Sequence, residues 1–315
     1  MFFKKIRNQV PAVQPQKNKQ RAPLYIIGNG ALACFLAAKF QDAGENVVIV
    51  SSSAGLQRLK DNLTIKEEYN LQKKTCRFDT ASVVGKAPLA VILASDSHTL
   101  QAHLTFLPGK SLGETPLICF NDVGNKKIIR PLLGKNFYPA YFYGCLELNG
   151  NTLTAFNLQP EITVSKTPNE EQTDIVDELL SETGLSVSYS PDDKTNFWKH
   201  FSVNALGFLF SARGQNLSSI LKDKNNKETI HAAVAELSKL ALSDQSRISA
   251  DEISGRLYGL PGGCVFKSPS LTPSAEISIL DAIFETISLN SRRHGCKTDT
   301  LNRLLKNGYQ TLLKK

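Results

Sequence analysis

Between Leu24 and Ser53 the chain runs apolar strand, glycine turn, helix, loop and second apolar strand, an order that few folds accept. LYIIG (Leu24–Gly28) ends in glycine, NGALACFLAAKFQDAG keeps its apolar residues at helical spacing up to Gly44, and ENVVIVSSS (Glu45–Ser53) is apolar again. Continuous rather than alternating strand hydrophobicity suits a parallel sheet covered on both faces. The turn reads Gly28-Asn29-Gly30-Ala31-Leu32-Ala33, a GxGxxA pattern. In such a turn the first glycine makes the bend, the second leaves room for a pyrophosphate, and a small third residue lets helix and sheet pack closely. Free N–H groups and the dipole at the helix start favour the anion. The pattern predicts a dinucleotide held at Gly28, Asn29, Gly30, Ala31 and Leu32; the alternative is a tight turn in a fold without a cofactor.

Which dinucleotide depends on the end of the second strand, where sites for NAD place an acid on the ribose diol. Here it reads Val50-Ser51-Ser52-Ser53, without one. Ser51 and Ser52, with Arg58 and Lys60 nearby, can accommodate a 2′-phosphate, which favours NADPH over NADH; the other reading of Arg58 and Lys60 is a solvated helix face.

A length of 315 residues suggests two domains. Further strands are predicted over Pro88–Ser95, Thr115–Asn121, Phe137–Gly150, Asn151–Gln159 and Leu185–Pro191, with a helix over Glu170–Thr183. The Asn149-Gly150-Asn151 turn signals a hairpin, so antiparallel members are expected late in the sheet. From Asp192 the period becomes helical: Asn196–Arg213, Thr229–Asp244, Ser274–Gly295 and the segment from Asp299 to the end. A Gly-, Pro- and Ser-rich stretch, Gly255–Ser274, interrupts them. The expected architecture is a basic flexible segment over 1–21, a Rossmann-type α/β domain over 22–191 and an all-helical domain over 192–315, with a cleft between the last two.

The six cysteines are scattered singly, with no CxxC, and read as reduced, mostly buried thiols. The histidines show no metal-ligand spacing, so no metal is expected. A net charge of +8 is a mild excess that suits anionic ligands, and the basic stretch Lys126–Arg130 lacks the aromatic interleaving of a nucleic-acid platform. No apolar run reaches bilayer length, and MFFKKIRNQV is too short in apolar residues for a secretory signal. A polar tail is the reading of the N-terminus, a transit peptide the alternative; the expected location is the cytoplasm.

Taken with the loop FNDVG after an inner strand and the helix FWKHFSVNALGFLFSA past the domain boundary, the fingerprint resembles the 2-dehydropantoate 2-reductase (ketopantoate reductase) family, from about Leu24 to the C-terminus. The resemblance implies a Rossmann domain, a helical domain like the C-terminal domain of 6-phosphogluconate dehydrogenase, and NADPH-dependent reduction of ketopantoate to pantoate in pantothenate biosynthesis. It places Gly28, Gly30, Ala31 and Leu32 on the fingerprint, and Asn121 near the nicotinamide ribose and the substrate. Gly124 closes that loop, Trp198 starts the hinge helix, and Asn204 is its first substrate-side asparagine.

Other positions depart from the family. Its catalytic lysine falls on His200, with Lys199 one residue earlier, and its second helix asparagine falls on Phe208. Ser52 replaces an arginine for the 2′-phosphate, and Leu93-Ala94-Ser95-Asp96 replaces a cofactor-binding lysine. A substrate-carboxylate serine and a hydroxyl-binding glutamate twelve residues later correspond to Cys264 and Glu276.

Reducing a 2-oxo acid requires a proton donor about 3 Å from the carbonyl oxygen and a group that holds the carboxylate. His200 can donate, and it shares a helix face with Asn204 and Phe208. Lys199 lies about 100° around the helix and takes that role only if the register shifts by one. Each has a structural alternative: a buried interdomain histidine, a solvated lysine, a first-turn helix acid for Glu276 and a buried thiol for Cys264. The expected activity is NADP-dependent reduction of a small 2-oxo acid, with a homodimer as the expected assembly. The alternatives are a non-catalytic dinucleotide- or metabolite-binding protein on the same fold, or an interaction role for the helical domain.

Overall fold

The structure, a computed structural model, describes residues 21–59, 62–68, 72–95, 99–107, 112–120, 136–156, 160–165, 170–211, 214–267 and 271–313. The first elements are β1 (Leu24–Ile27), α1 (Ala31–Asp42), β2 (Val47–Val50), α2 (Ser53–Leu59), β3 (Leu63–Glu67), β4 (Gln72–Cys76) and β5 (Asp79–Ala81). Then come β6 (Ala90–Ala94), α3 (Leu100–Leu104), β7 (Leu117–Phe120), β8 (Phe137–Tyr143), β9 (Leu146–Asn149), β10 (Thr152–Ala155) and β11 (Glu161–Ser165). After α4 (Glu170–Glu182) and β12 (Ser186–Ser190) the named elements are helices: α5 (Asp193–Phe210), α6 (Leu217–Lys222), α7 (Lys224–Ser243), α8 (Ala250–Gly259), α9 (Pro273–His294) and α10 (Asp299–Leu313).

The main sheet has the order β12-β11-β8-β7-β6-β1-β2-β5. Strands β5, β2, β1, β6, β7 and β8 run parallel. Read in chain order they follow the Rossmann sequence 3-2-1-4-5-6, which reverses between β1 and β6. The antiparallel members are β11, which pairs with β8, and β12, which runs parallel to β11. The predicted hairpin forms, Leu148 opposite Leu153, but it does not join this sheet. It pairs instead with β3 and β4, a strand pair whose sequence alternates too weakly to be read, in a separate sheet of order β4-β3-β10-β9. The apolar run over 137–150 is broken at Gly144, where a Cβ would meet the Phe142 ring at 2.6 Å.

The second sheet explains why α1 is apolar almost all round. Its Phe35 and Phe40 share one core with Ile26 and Ile49 of the main sheet and with Ile65 and Leu153 of the small one. A helix covered on two sides has no wet face to keep polar. The helical part has its own core around Trp198, Leu206, Leu237 and Ile287. The interruption read over 255–274 begins too early, since α8 continues to Gly259 with Ser249 as its cap, accepting from the Glu252 N–H at 3.1 Å.

Helix α5 joins the two parts. Asp192 caps it, accepting from the Thr195 N–H at 3.0 Å and from the Thr195 hydroxyl at 2.7 Å, and the Thr195 N–H bond holds its carboxyl below the usual range. Asp193 takes hydrogen bonds from Tyr141 of β8 (3.0 Å) and Ser165 of β11 (2.8 Å), while Trp198 Nε1 donates to Asp244 at 3.1 Å. The start of α5 is thereby fixed to the sheet on one side and to the end of α7 on the other.

Candidate functional site

The GxGxxA turn lies between the carboxyl end of β1 and the start of α1, beside the reversal of strand order where open α/β sheets bind ligands. Gly28 has φ +133°, and a Cβ there would stand 2.4 Å from the Ala94 carbonyl oxygen at the end of β6. Only glycine fits. A Cβ on Gly30 would meet nothing within 4 Å, so that position faces open space. Gly30 is the N-cap of α1 and provides no side-chain cap, and the first turn carries no acid. Uncapped N–H groups behind an open glycine are the arrangement a pyrophosphate needs, so the residues present fit a dinucleotide. Ala33 is fully buried, giving the close helix–sheet contact expected of the third position.

At the end of β2, Ser51 is buried and Ser52 exposed. A Cβ on Gly55 would lie 2.2 Å from Asn29 Nδ2 and 2.3 Å from Ser51 Oγ, so Asn29, Ser51 and α2 close against one another. Ser52 Oγ accepts from the Gly55 N–H at 3.4 Å. The Arg58 side chain, Lys60 and the basic stretch 126–130 lie outside the described residues, as do Asn121 and Gly124. Beyond β6, Ser95 is buried and its hydroxyl stands 2.5 Å from His103 Nδ1, an inner-edge pair that no sequence spacing announced.

On α5 the sequence-predicted residues separate. His200 is buried, its ring 5.8 Å from that of Tyr141 and hydrogen-bonded to the Phe142 carbonyl of β8. Burial pushes the imidazole down to about 4, outweighing that hydrogen bond, so it is neutral at pH 7. Asn204, one turn on, is exposed; its Nδ2 donates to the His200 carbonyl at 3.0 Å and stands 3.0 Å from His200 Nε2. Lys199 points elsewhere and pairs with Glu252 of α8 at 2.7 Å. Phe208 is buried, and the ammonium of Lys267 stands 4.5 Å from its ring centroid.

The segment before α9 brings two corrections. Cys264 is bonded to Cys145, between β8 and β9, with Cα atoms 5.4 Å apart, so this pair is not reduced. Its sulfur has no thiol hydrogen to offer a carboxylate. Cys34, Cys76, Cys119 and Cys296 lie outside any disulfide and the first three are buried, as expected of reduced thiols. The second correction is Lys267, which sequence reasoning left inside an uninterpreted loop. Glu276 lies in the first turn of α9 and is buried, with Thr272 as the cap, accepting from the Ala275 N–H at 3.2 Å. A groove of about 690 Å³ between α9 and α10, lined by Phe284, Arg292, Leu305 and Tyr309, shares no residue with the β1 edge or α5. Among the described residues no His, Cys, Asp and Glu cluster could hold a metal, and no helix is long and apolar enough to cross a membrane.

No family model and no curated protein matches this sequence. Solved structures do match in shape. A ternary complex of D-mandelate dehydrogenase with NADH and anilino(oxo)acetate aligns with a TM-score of 0.75 at 17% identity, over 93% of this chain and 98% of that one. A dimeric ketopantoate reductase from Staphylococcus aureus aligns with a TM-score of 0.71 at 17% identity, over 93% and 99%. The fold is that of the ketopantoate reductases. A further ketopantoate reductase, from Ralstonia eutropha JMP134, aligns with a TM-score of 0.72 at 14% identity, over 93% and 99%. The resemblance carried by the GxGAxx turn and the Trp198 helix thus holds for the whole architecture, main sheet and helical part together.

Proposed function

We propose that the protein is an NADP-dependent reductase of a small 2-oxo acid, with residues 22–191 holding the dinucleotide and 192–315 the substrate. The observation that carries this reading is the uncapped start of α1 behind Gly28 and Gly30, beside the reversal of strand order. When bound, a nicotinamide dinucleotide supplies a hydride to the carbonyl carbon. The chain binds, orients and delivers a proton. Gly28, Asn29, Gly30, Ala31 and Leu32 take the pyrophosphate, Ser51, Ser52 and Arg58 the 2′-phosphate, and Asn121 the nicotinamide ribose. Asn204, exposed on α5, orients the oxo group. His200 acts as the donor to the carbonyl oxygen once its one N–H, held on the Phe142 carbonyl, turns toward the substrate, a role open to an imidazole whose pKa is lowered by its surroundings. Lys199 substitutes for it only after leaving Glu252, and Glu276 accepts from the product hydroxyl. The reading includes a cytoplasmic homodimer and, should ketopantoate be the substrate, a step in pantothenate biosynthesis.

One observation favours a second reading, dinucleotide or metabolite binding without turnover: His200 is neutral and Lys199 is paired, so this stretch of α5 presents no charged proton donor to the cleft. Titration with NADPH and with NADH, followed by nicotinamide fluorescence, separates the possibilities. NADPH bound at least about tenfold more tightly than NADH supports the NADP assignment. A screen of 2-oxo acids starting with ketopantoate then tests turnover, and His200→Ala should lower kcat with little change in KM. No binding of either nucleotide up to roughly millimolar overturns the reductase reading and dinucleotide binding alike, and leaves only metabolite binding.

A further inference from the structure

Among the described residues Lys267 is the one lysine or arginine that is buried. Its backbone is held firmly. Gly214 N–H donates to the Lys267 carbonyl at 2.9 Å, Val265 bridges to Asn216, Leu217 N–H donates to the Cys264 carbonyl at 2.7 Å, and Cys264 is tied to Cys145. Phe266 fills the space over Gly207, where a Cβ would come within 2.2 Å of its ring. The Lys267 ammonium then reaches over the Phe208 ring, whose negative face favours a cation at this 4.5 Å separation.

Phe208 belongs to the stripe His200, Asn204, Phe208 along one face of α5, spaced one turn apart. Asn204 is exposed in the middle of that stripe and His200 is neutral at one end. Lys267 therefore brings a positive charge to the other end, delivered by a loop distant in sequence and fixed by its own hydrogen bonds. We propose that Lys267 holds the carboxylate of the 2-oxo acid, with the Phe208 ring beneath the ammonium, and so is the substrate-anchoring cation of the cleft. This inference rests on the reductase reading. It deepens that reading by requiring an anionic oxo-acid substrate and excluding neutral ketones and aldehydes.

Isothermal titration of the full chain with anilino(oxo)acetate, and with its uncharged methyl ester, tests the assignment without turnover. Lys267→Met should weaken the acid by about 30-fold or more and the ester by less than about threefold, and Lys267→Arg should lose under about fivefold for either. Equal acid affinity in wild type and Lys267→Met overturns the proposal, as does an equal loss for acid and ester, which marks a structural role. If Lys267→Met fails to fold, the wild type labelled with ¹³C at lysine Cε decides. The Lys267 resonance, assigned through Lys267→Arg, should shift with the acid and stay unmoved with the ester, and no shift with the acid overturns the proposal. A wild type that binds NADPH but not the acid overturns the Lys267 assignment and leaves the dinucleotide site standing. One that binds neither overturns the reductase reading as well.

Discussion

At the β1 edge the proposed dinucleotide surface is backbone, whereas along α5 the proposed substrate surface is side chain, and the two regions should fail in different ways. Gly28 and Gly30 differ in what a Cβ would meet, since Ala94 occupies the space at one and the space at the other is open to the proposed pyrophosphate. Along α5, His200, Asn204 and Phe208 hold their places because Trp198, Asp193 and Thr195 fix the helix to both neighbours. A region made of backbone is defined by a few consecutive residues. A region made of side chains depends on every element that aims them.

The largest effect is expected where α5 is anchored. Trp198 is fully buried, so Trp198→Ala should cost about 4 kcal/mol, read from urea unfolding, and should abolish substrate binding with it. If dinucleotide affinity survives at temperatures where the variant is folded, the two regions are separable. The glycines sharpen the contrast within one turn. Gly28→Ala, at φ +133° and 2.4 Å from a carbonyl oxygen, should lose about 3 kcal/mol of stability. Gly30→Ala, with open space around its Cβ, should unfold within about 0.5 kcal/mol of wild type yet weaken NADPH about tenfold or more. Equal unfolding midpoints for the two variants would break the distinction.

His200 links the regions to pH. Its folded value of about 4 lies below the ordinary 6.5, so between those values the unfolded chain holds a proton that the folded chain does not. Stability contributed by the neutral ring is complete above pH 6.5 and is lost as pH falls toward 4, a decline of about 3 kcal/mol. Unfolding midpoints of wild type and His200→Gln should therefore converge as pH falls from 7 to 4; parallel profiles would show that the imidazole is not held neutral. The smallest effect belongs to Lys199. Its pair with Glu252 is partly exposed, so Lys199→Ala should cost about 0.5 kcal/mol and leave kcat unchanged. A large loss of kcat would return Lys199 to the catalytic role that the helix register denies it.

The parts of this molecule legible in the sequence are those with short-range causes. Continuous apolar runs announced β1, β2, β6 and β7, the glycine spacing announced the turn between β1 and α1, and Asn149-Gly150-Asn151 announced the hairpin. The hairpin's destination was not legible, because its partner β3 lies about ninety residues earlier in a stretch with no clear alternation. At the site, the pairing of His200 with Asn204 followed from helix spacing. The charge state of His200 did not, since it is set by burial against β8. Lys267 stood in a Gly-, Pro- and Ser-rich loop where nothing local distinguishes it from a solvated lysine.

By itself, then, the sequence determined a strand–glycine–helix unit, the helical C-terminal part and the face shared by His200, Asn204 and Phe208, because each depends on residues within a few turns of one another. Only the tertiary structure decided that α1 lies between two sheets, that Cys145 and Cys264 are joined across 119 residues, that Lys199 turns to Glu252 and that Lys267 stands over Phe208. Those pairings depend on distances in space between segments far apart in the chain, and no residue pattern encodes such a distance until the core has brought the segments together.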